Sequence, residues 1–262
     1  MWGEPFIEVG GRQLECRCWG AAPSDGRAIA LLHEGLGCVA LWRDFPDRLH
    51  EATGWPVMAY SRAGYGQSDP DSLPRPLDWM TREALDVLPD VLAAFEINGP
   101  VLLGHSDGAT IAAIYAGAHQ PLATVLMAPH FFTEESGLAE IARANAAFGE
   151  SDMAARMGKY HRDPVATFRG WADAWLDPAF RDWNVEESLD TITGPVLALQ
   201  GRQDQYGTLA QIETVGRRVA GAQVTVLEDC RHVPHLEQPE ATLTAITKLM
   251  HDNALYARKI EK

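Results

Sequence analysis

The sequence has few cysteines, and their spacing matches no metal or redox motif. The four are Cys16, Cys18, Cys38 and Cys230, and they form neither a Cys-x-x-Cys pair nor a Cys/His pattern typical of zinc sites. We therefore expect reduced thiols that act as small apolar side chains. Cys38 and Cys230 fall in predicted loops, where either could border a pocket.

Long apolar runs and basic residues are also scarce. No run reaches the roughly 18 apolar residues that a membrane-spanning helix needs. The first residues, MWGEPFIEVGG, lack the basic and apolar regions of a signal peptide. Acidic residues number 36 against 22 Lys and Arg, a formal net charge of -14, which disfavours nucleic acid and anionic membranes as partners. We expect a soluble, cytoplasmic protein.

The 262 residues can hold one large α/β domain. Short apolar segments typical of strands occur at 6–9, 13–19, 28–32, 57–60, 101–103, 124–127, 196–200 and 223–227. Helical patterns occur at 41–50, 81–95 (with Pro89 as a kink), 109–118, 209–219 and from Pro239 onward. This alternation predicts a mostly parallel central sheet with helices on both faces.

Residues 130–190 interrupt the alternation. They are rich in aromatic residues and indicate short helices without core strands. We predict a helical cap inserted after the sixth strand, over the sheet edge where ligands bind in this architecture, on a core made of residues 1–129 and 191–262. The candidate substrate contacts of this cap are Phe131, Phe132, Trp171 and Trp175.

A G-x-S-x-G motif, GHSDG, lies at residues 104–108. The motif is short enough to occur by chance, but here it stands between a predicted strand and a predicted helix, as a nucleophile elbow requires. Gly104 and Gly108 leave room where side chains would collide with neighbouring elements, and the helix N-terminus directs backbone N–H groups at developing negative charge. Ser106 is therefore the candidate nucleophile.

A serine hydroxyl needs a base, and the base needs an orienting acid. Asp204 follows the predicted strand at 196–200, so it lies at the same sheet edge as Ser106. Beyond the next strand are two histidines, His232 and His235. His232 is nearer the strand end and is the preferred base, with His235 as the alternative.

With these residues the chain resembles the α/β-hydrolase superfamily, specifically its capped esterase-like members. The resemblance rests on LLHEGLG, YSRAGYGQSD, GHSDG, LQGRQD and RHVPHLEQP in that order. It implies an α/β-hydrolase fold and selects His232 as the base. It also implies an oxyanion hole formed by the backbone N–H groups of Gly35 and Asp107, whose own side chain we expect to serve the helix N-terminus.

Two residues depart from the family pattern: Glu34 and Arg231 each stand where a glycine is usual. A carboxylate near an oxyanion is unfavourable unless it points away, is protonated or is paired. Glu34 could hydrogen-bond to loop backbone or meet a cationic part of a substrate. With Tyr206, it completes the set of candidate substrate contacts.

The sequence contains no complete metal or cofactor motif. Gly37 stands where a zinc-protease motif starting at His33 would need a histidine, and His232 and His235 lack a third ligand. We expect no metal and no cofactor. A serine nucleophile favours hydrolysis of a carboxylic ester, lactone or thioester of a small molecule. The alternatives are hydrolysis of a carbon–carbon bond in a diketone-like substrate, or a small-molecule receptor that retains the fold.

Overall fold

An eight-stranded sheet forms the centre of the computed structural model, which describes residues 1–255. The strands are β1 (Phe6–Val9), β2 (Arg12–Trp19), β3 (Arg27–Leu32), β4 (Val57–Tyr60), β5 (Gly99–His105), β6 (Ala123–Met127), β7 (Val196–Gly201) and β8 (Gln223–Leu227). Their order is β1-β2-β4-β3-β5-β6-β7-β8. From β4 to β8 neighbouring strands are parallel, whereas β1 and β2 pair antiparallel. The predicted mostly parallel sheet is confirmed.

Helices cover both faces of the sheet. They are α1 (Phe45–Thr53), α2 (Trp79–Arg82), α3 (Leu88–Ala94), α4 (Asp107–His119), α5 (Glu135–Phe148), α6 (Met153–Met157), α7 (Pro164–Trp175), α8 (Ala210–Arg218), α9 (Pro234–Glu237) and α10 (Pro239–Asp252). Alternate residues of β3 enter different apolar clusters: Ala30 and Leu32 join one, Ile29 and Leu31 the other. Successive side chains of a strand point to opposite faces, so each face has its own buried core.

Two helices differ from the sequence prediction, each at a proline. The predicted helix at 41–50 is a 3₁₀ turn, Val39–Trp42, followed by α1, which has Pro46 in its first turn; proline is tolerated there because that N–H needs no partner. The predicted helix at 81–95 contains a π-helical segment, Glu83–Val87, immediately before the turn of Pro89. Proline cannot donate to the carbonyl four residues back, and the helix widens where that bond is missing.

The stretch at 130–190 lies between β6 and β7 and contains α5, α6 and α7, which confirms a helical insertion after the sixth strand. His161 joins it to the loops of the sheet edge. Its Nε2 donates to the carbonyl of Leu36 at 3.0 Å, and its Nδ1 accepts from the backbone N–H of Gly66 at 3.0 Å. The division of the chain into cap and core at these boundaries stays a prediction.

Within residues 1–255, none of the helices has the length and apolar character needed to cross a membrane. The parallel strands β5, β7 and β8 end at the same edge of the sheet. The loops that follow them carry the residues from which the site is built.

Candidate active site

The turn between β5 and α4 holds Ser106 in a strained backbone conformation, with φ 53° and ψ -121°. Such a positive φ is rare for residues other than glycine. A Cβ at Gly104 would collide with the backbone of Gly108, and one at Gly108 would collide with the carbonyl of Leu32. The two glycines of the motif are therefore required by close backbone packing, and they allow the sharp turn that places Ser106 at the cavity.

Three side chains from separate loops meet at this edge in one hydrogen-bonded chain. Ser106 Oγ lies 3.0 Å from Nε2 of His232. The other ring nitrogen of His232, Nδ1, lies 2.9 Å from both carboxylate oxygens of Asp204. Because a carboxylate only accepts, Nδ1 carries hydrogen and Nε2 is left free to accept the serine proton.

Asp204 is held as a carboxylate by its surroundings. Its oxygens accept from the backbone N–H of Tyr206 at 2.9 Å and from Nε2 of Gln200 at 3.1 Å. Burial would raise the pKa of Asp204, but the charge and hydrogen bond of His232 outweigh it and lower that pKa below its ordinary value. An ionised Asp204 fixes the orientation of the imidazole and can stabilise it when it becomes charged.

His235, the alternative base, does not take part in this chain. It is buried, and its ring packs 4.7 Å from the ring of Trp42 and 5.3 Å from that of Phe45. Burial and the charge of His105 lower its pKa to about 3. His235 therefore packs as a neutral ring beneath the site.

The loop after β3 is braced from behind by Arg62. Its guanidinium donates to the carbonyl of His33 at 2.5 Å and to that of Glu34 at 3.0 Å. The backbone N–H of Arg62 donates to His33 Nε2 at 3.1 Å, so His33 Nδ1 must be the donor in its 2.7 Å bond to the Glu34 carbonyl. These bonds hold the carbonyls of the loop on the side of Arg62.

Gly35 and Asp107 both line the cavity that contains Ser106. A Cβ at Gly35 would lie 3.1 Å from Oδ2 of Asp107 and would collide with the indole of Trp171, so the two residues are adjacent. Asp107 is the first residue of α4, where the backbone N–H has no partner within the helix. Burial raises the pKa of its carboxyl, and the charge of Arg62 opposes that rise.

The cavity above Ser106 has a volume of about 130 Å³. It is bounded by five of the six candidate substrate contacts, namely Glu34, Phe132, Trp171, Trp175 and Tyr206. The Tyr206 ring also packs 4.8 Å from the ring of His232. No lysine or arginine lines the cavity within the described part of the chain.

Phe131 is the exception among the six candidate substrate contacts, because it does not line the cavity. Its side chain is fully buried in the apolar core. Its neighbours His130 and Phe132 do line it, and Phe132 is paired in an antiparallel bridge with Asn184. The side chain of Phe131 therefore faces the apolar core and points away from the cavity.

Sequence reasoning missed six other residues that line the cavity: Leu36, His130, Glu134, Gly137, Leu138 and Ile141. The His130 ring lies 5.7 Å from that of His232, and burial lowers its pKa to about 3. The position of His130 just after β6, at the same sheet edge as Ser106, could have predicted that it lies in the site. Leu138 and Ile141 are three apart on α5, the spacing of one helix face.

Glu34 does not lie free beside the expected oxyanion. One carboxylate oxygen, Oε2, is 3.5 Å from Nδ1 of His105, the residue before the nucleophile. Burial would raise the pKa of Glu34, but the neighbouring His105 outweighs it and holds that pKa well below its usual range. A Cβ at Gly37 would collide with this carboxylate, so glycine there leaves the space that Glu34 fills.

Residues 1–255 contain no cluster of potential metal ligands. No group of three or more His, Cys, Asp or Glu side chains in that range could hold a metal ion. The four cysteines, Cys16, Cys18, Cys38 and Cys230, are free thiols. Neither Cys38 nor Cys230 lines the cavity at Ser106.

An elbow serine on a mostly parallel sheet, with a histidine and an aspartate at neighbouring strand ends, is the arrangement of the α/β-hydrolase fold. The family model described as "Alpha/beta hydrolase family" matches residues 29–245. The chain therefore belongs to the alpha/beta hydrolase family. No curated protein matches it significantly in sequence.

Many solved structures share the fold. A membrane phospholipase A described as a bacterial virulence factor has a TM-score of 0.77 at 21% identity, over 95% of this chain and 86% of that one. The enol-lactonase of Burkholderia xenovorans LB400 has a TM-score of 0.73 at 18% identity, over 94% and 100%. An esterase of Exiguobacterium antarcticum has a TM-score of 0.72 at 20% identity, over 95% and 99%.

Proposed function

We propose that this protein hydrolyses a carboxylic ester or lactone of a small, largely apolar molecule through an acyl-enzyme on Ser106. The observation that carries the proposal is the hydrogen-bonded chain from Ser106 Oγ through both nitrogens of His232 to the carboxylate of Asp204. Such a chain gives a serine hydroxyl a base and gives the base a fixed tautomer.

In the proposed reaction, Ser106 Oγ attacks the carbonyl carbon while His232 Nε2 takes the hydroxyl proton. The backbone N–H groups of Gly35 and Asp107 donate to the oxyanion of the tetrahedral intermediate, which their position at the cavity wall allows. His232 returns its proton to the departing alkoxide. Water then attacks the acyl-enzyme, gives a proton to Nε2, and the acid leaves as Ser106 recovers its hydrogen.

The cavity supports a small and largely apolar substrate. At about 130 Å³ it is close to the ~150 Å³ of a cavity that accepts benzene. Its walls combine the apolar side chains of Leu36, Leu138 and Ile141 with aromatic rings. Its charged residues are acidic, namely Glu34, Asp107 and Glu134, so we expect neutral acyl groups to be preferred over anionic ones.

The test is turnover of a panel of small esters, lactones and thioesters by wild type and Ser106→Ala, alongside labelling by a fluorophosphonate. We expect wild type to turn over and to label once, and Ser106→Ala to fold, not label and lose activity by several orders of magnitude. Turnover that survives Ser106→Ala would reject the nucleophile. Ligand binding without turnover would favour the receptor alternative, and turnover of a diketone alone would favour carbon–carbon hydrolysis.

A further inference from the structure

His105 lies between three parts of the candidate site. It ends β5 directly before Ser106, its Nδ1 is 3.5 Å from Oε2 of Glu34 in the loop after β3, and its Nε2 is 2.7 Å from the carbonyl oxygen of His232. Its side chain is 1% exposed. The mechanism described above gives it no role, although it touches the loops that carry the nucleophile, the oxyanion donor and the base.

The hydrogen-bond partners of His105 determine where its hydrogens are. A carbonyl oxygen only accepts, so Nε2 carries hydrogen. In a neutral ring Nδ1 would then present a lone pair to the Glu34 carboxylate at 3.5 Å, which is repulsive. A second hydrogen on Nδ1 turns the repulsion into an attraction between opposite charges in a buried site, where such attraction is strong.

We propose that His105 and Glu34 form an ionised pair whose role is to position the loop of Gly35 against Ser106 and the loop of His232. This inference rests on the function proposed above, because it makes His105 and Glu34 positioning residues for that hydrolysis. It also explains why glutamate is tolerated next to the expected oxyanion: its charge is matched by His105 and its carboxylate is folded over Gly37.

The other titratable groups facing the pair are held neutral or are already engaged. Burial lowers the pKa of His130 and of His235 to about 3. Burial and the charge of Arg62 lower the pKa of His33 well below its ordinary value. His232 already donates from Nδ1 to Asp204. His105 is therefore the histidine placed to neutralise Glu34.

The first test reads the protonation of His105 directly and needs no turnover. In ¹⁵N-detected imidazole spectra at neutral pH, we expect one buried histidine with hydrogen on both nitrogens, assigned by its loss in His105→Gln. In Glu34→Gln the same ring should become a neutral tautomer with hydrogen on Nε2 only. A neutral His105 ring in wild type would overturn the proposal, whatever the protein hydrolyses.

The second test uses the charge that each substitution leaves behind. His105→Gln strands the Glu34 carboxylate near His232, whose ring is 5.1 Å from that of His105, so the acid limb of the kcat/KM profile should move up by about one pH unit. Glu34→Gln removes the negative charge of the carboxylate, and His105 then loses its extra proton and its positive charge. The net charge near His232 is unchanged, so the acid limb should stay in place. The double variant should also leave it in place.

A neutral His105 predicts the opposite pattern of the acid limb, namely no shift for His105→Gln and a downward shift for Glu34→Gln.

Both single variants, His105→Gln and Glu34→Gln, should lower kcat by about 10- to 100-fold with little change in KM. The double variant should be no worse than either, since the pair acts as a unit. His119→Gln, at the exposed end of α4, is the matched control. Independent, additive losses would also overturn the proposal.

Discussion

The indole ring of Trp171 lies directly against Gly35, so closely that a Cβ at position 35 would collide with Cδ1 and Nε1 of the ring. Trp171 belongs to α7 of the inserted segment and Gly35 to the loop after β3. The contact therefore joins the insertion to the loop that we propose as an oxyanion donor, and it makes the position of that loop sensitive to a single methyl group.

Gly35→Ala should lower kcat by about 10²- to 10³-fold, the cost of losing one oxyanion donor, because the loop must move away from Trp171. In a Trp171→Ala background the same substitution should cost much less, since the space is then open. Steady-state kinetics on wild type, Gly35→Ala, Trp171→Ala and the double variant gives the coupling free energy between the two positions. Gly149→Ala, where the added Cβ meets nothing within 4 Å, serves as control. Equal losses in both backgrounds would contradict the steric explanation.

His232→Ala should reduce hydrolysis as strongly as Ser106→Ala, and the double variant should be hardly worse, because the two groups act in one step. His235→Ala should instead lower the free energy of unfolding by about 1–3 kcal/mol, since its ring packs against Trp42 and Phe45. Urea unfolding and kcat/KM, measured on each variant, separate the two roles. A His235→Ala protein that is stable but inactive would move the base to His235.

The sequence predicted the elbow well, because GHSDG stands between a strand and a helix and its glycines meet local backbone constraints. That Asp204 and His232 lie near Ser106 could be expected from position, since the ends of parallel strands converge at one edge, and the family resemblance also selected His232. The direction of Glu34 could not be predicted, because it depends on His105, 71 positions away in the chain by their numbers. The burial of Phe131 depends on its packing in an apolar cluster with side chains that are distant in the sequence, which no local pattern reveals.

Asp204→Asn should preserve the fold and lower kcat by about 10⁴-fold, as the analogous change does in a serine protease. The amide can donate to Nδ1 of His232 and so place the hydrogen on Nε2, where it cannot accept from Ser106. Pre-steady-state acylation with an activated ester measures the affected step. An unchanged thermal midpoint should show that the fold is preserved. Near-normal acylation in the variant would exclude the proposed role of Asp204.

Acid should destabilise the protein through His130. Burial lowers the pKa of His130 from 6.5 to about 3, whereas in the unfolded chain the ring protonates near its ordinary value. Between about pH 6.5 and 3 the unfolded state therefore binds a proton that the folded state does not, and the free energy of unfolding falls as pH falls. His130→Gln should flatten this slope by about one proton, roughly 1.4 kcal/mol per pH unit.

Urea titrations at several pH values between 4 and 7 give the slope for His130→Gln and wild type. His119→Gln, a substitution at an exposed position, is the matched control. A variant slope equal to that of wild type would mean that His130 is protonated in the folded protein.

Leu138 on α5 should help to determine which substrates fit. Its side chain lines the cavity of about 130 Å³, so Leu138→Ala enlarges the space and Leu138→Phe reduces it. Across esters that differ in acyl size, Leu138→Ala should raise relative kcat/KM for bulky acyl groups and Leu138→Phe should lower it, by about 10-fold or more per added methylene. Trp171→Ala should change the ranking in the same direction as Leu138→Ala.

A small fluorophosphonate needs mainly the activated serine, so its labelling rate should change little in the two Leu138 variants. Phe131→Leu is the matched control, because Phe131 is buried but faces away from the cavity; it should lower stability and leave the substrate ranking intact. Equal losses on every ester and on the fluorophosphonate would mean that Leu138 only supports folding. A changed ranking of the esters in Phe131→Leu would mean that core packing behind the cavity at Ser106 also determines which acyl groups fit.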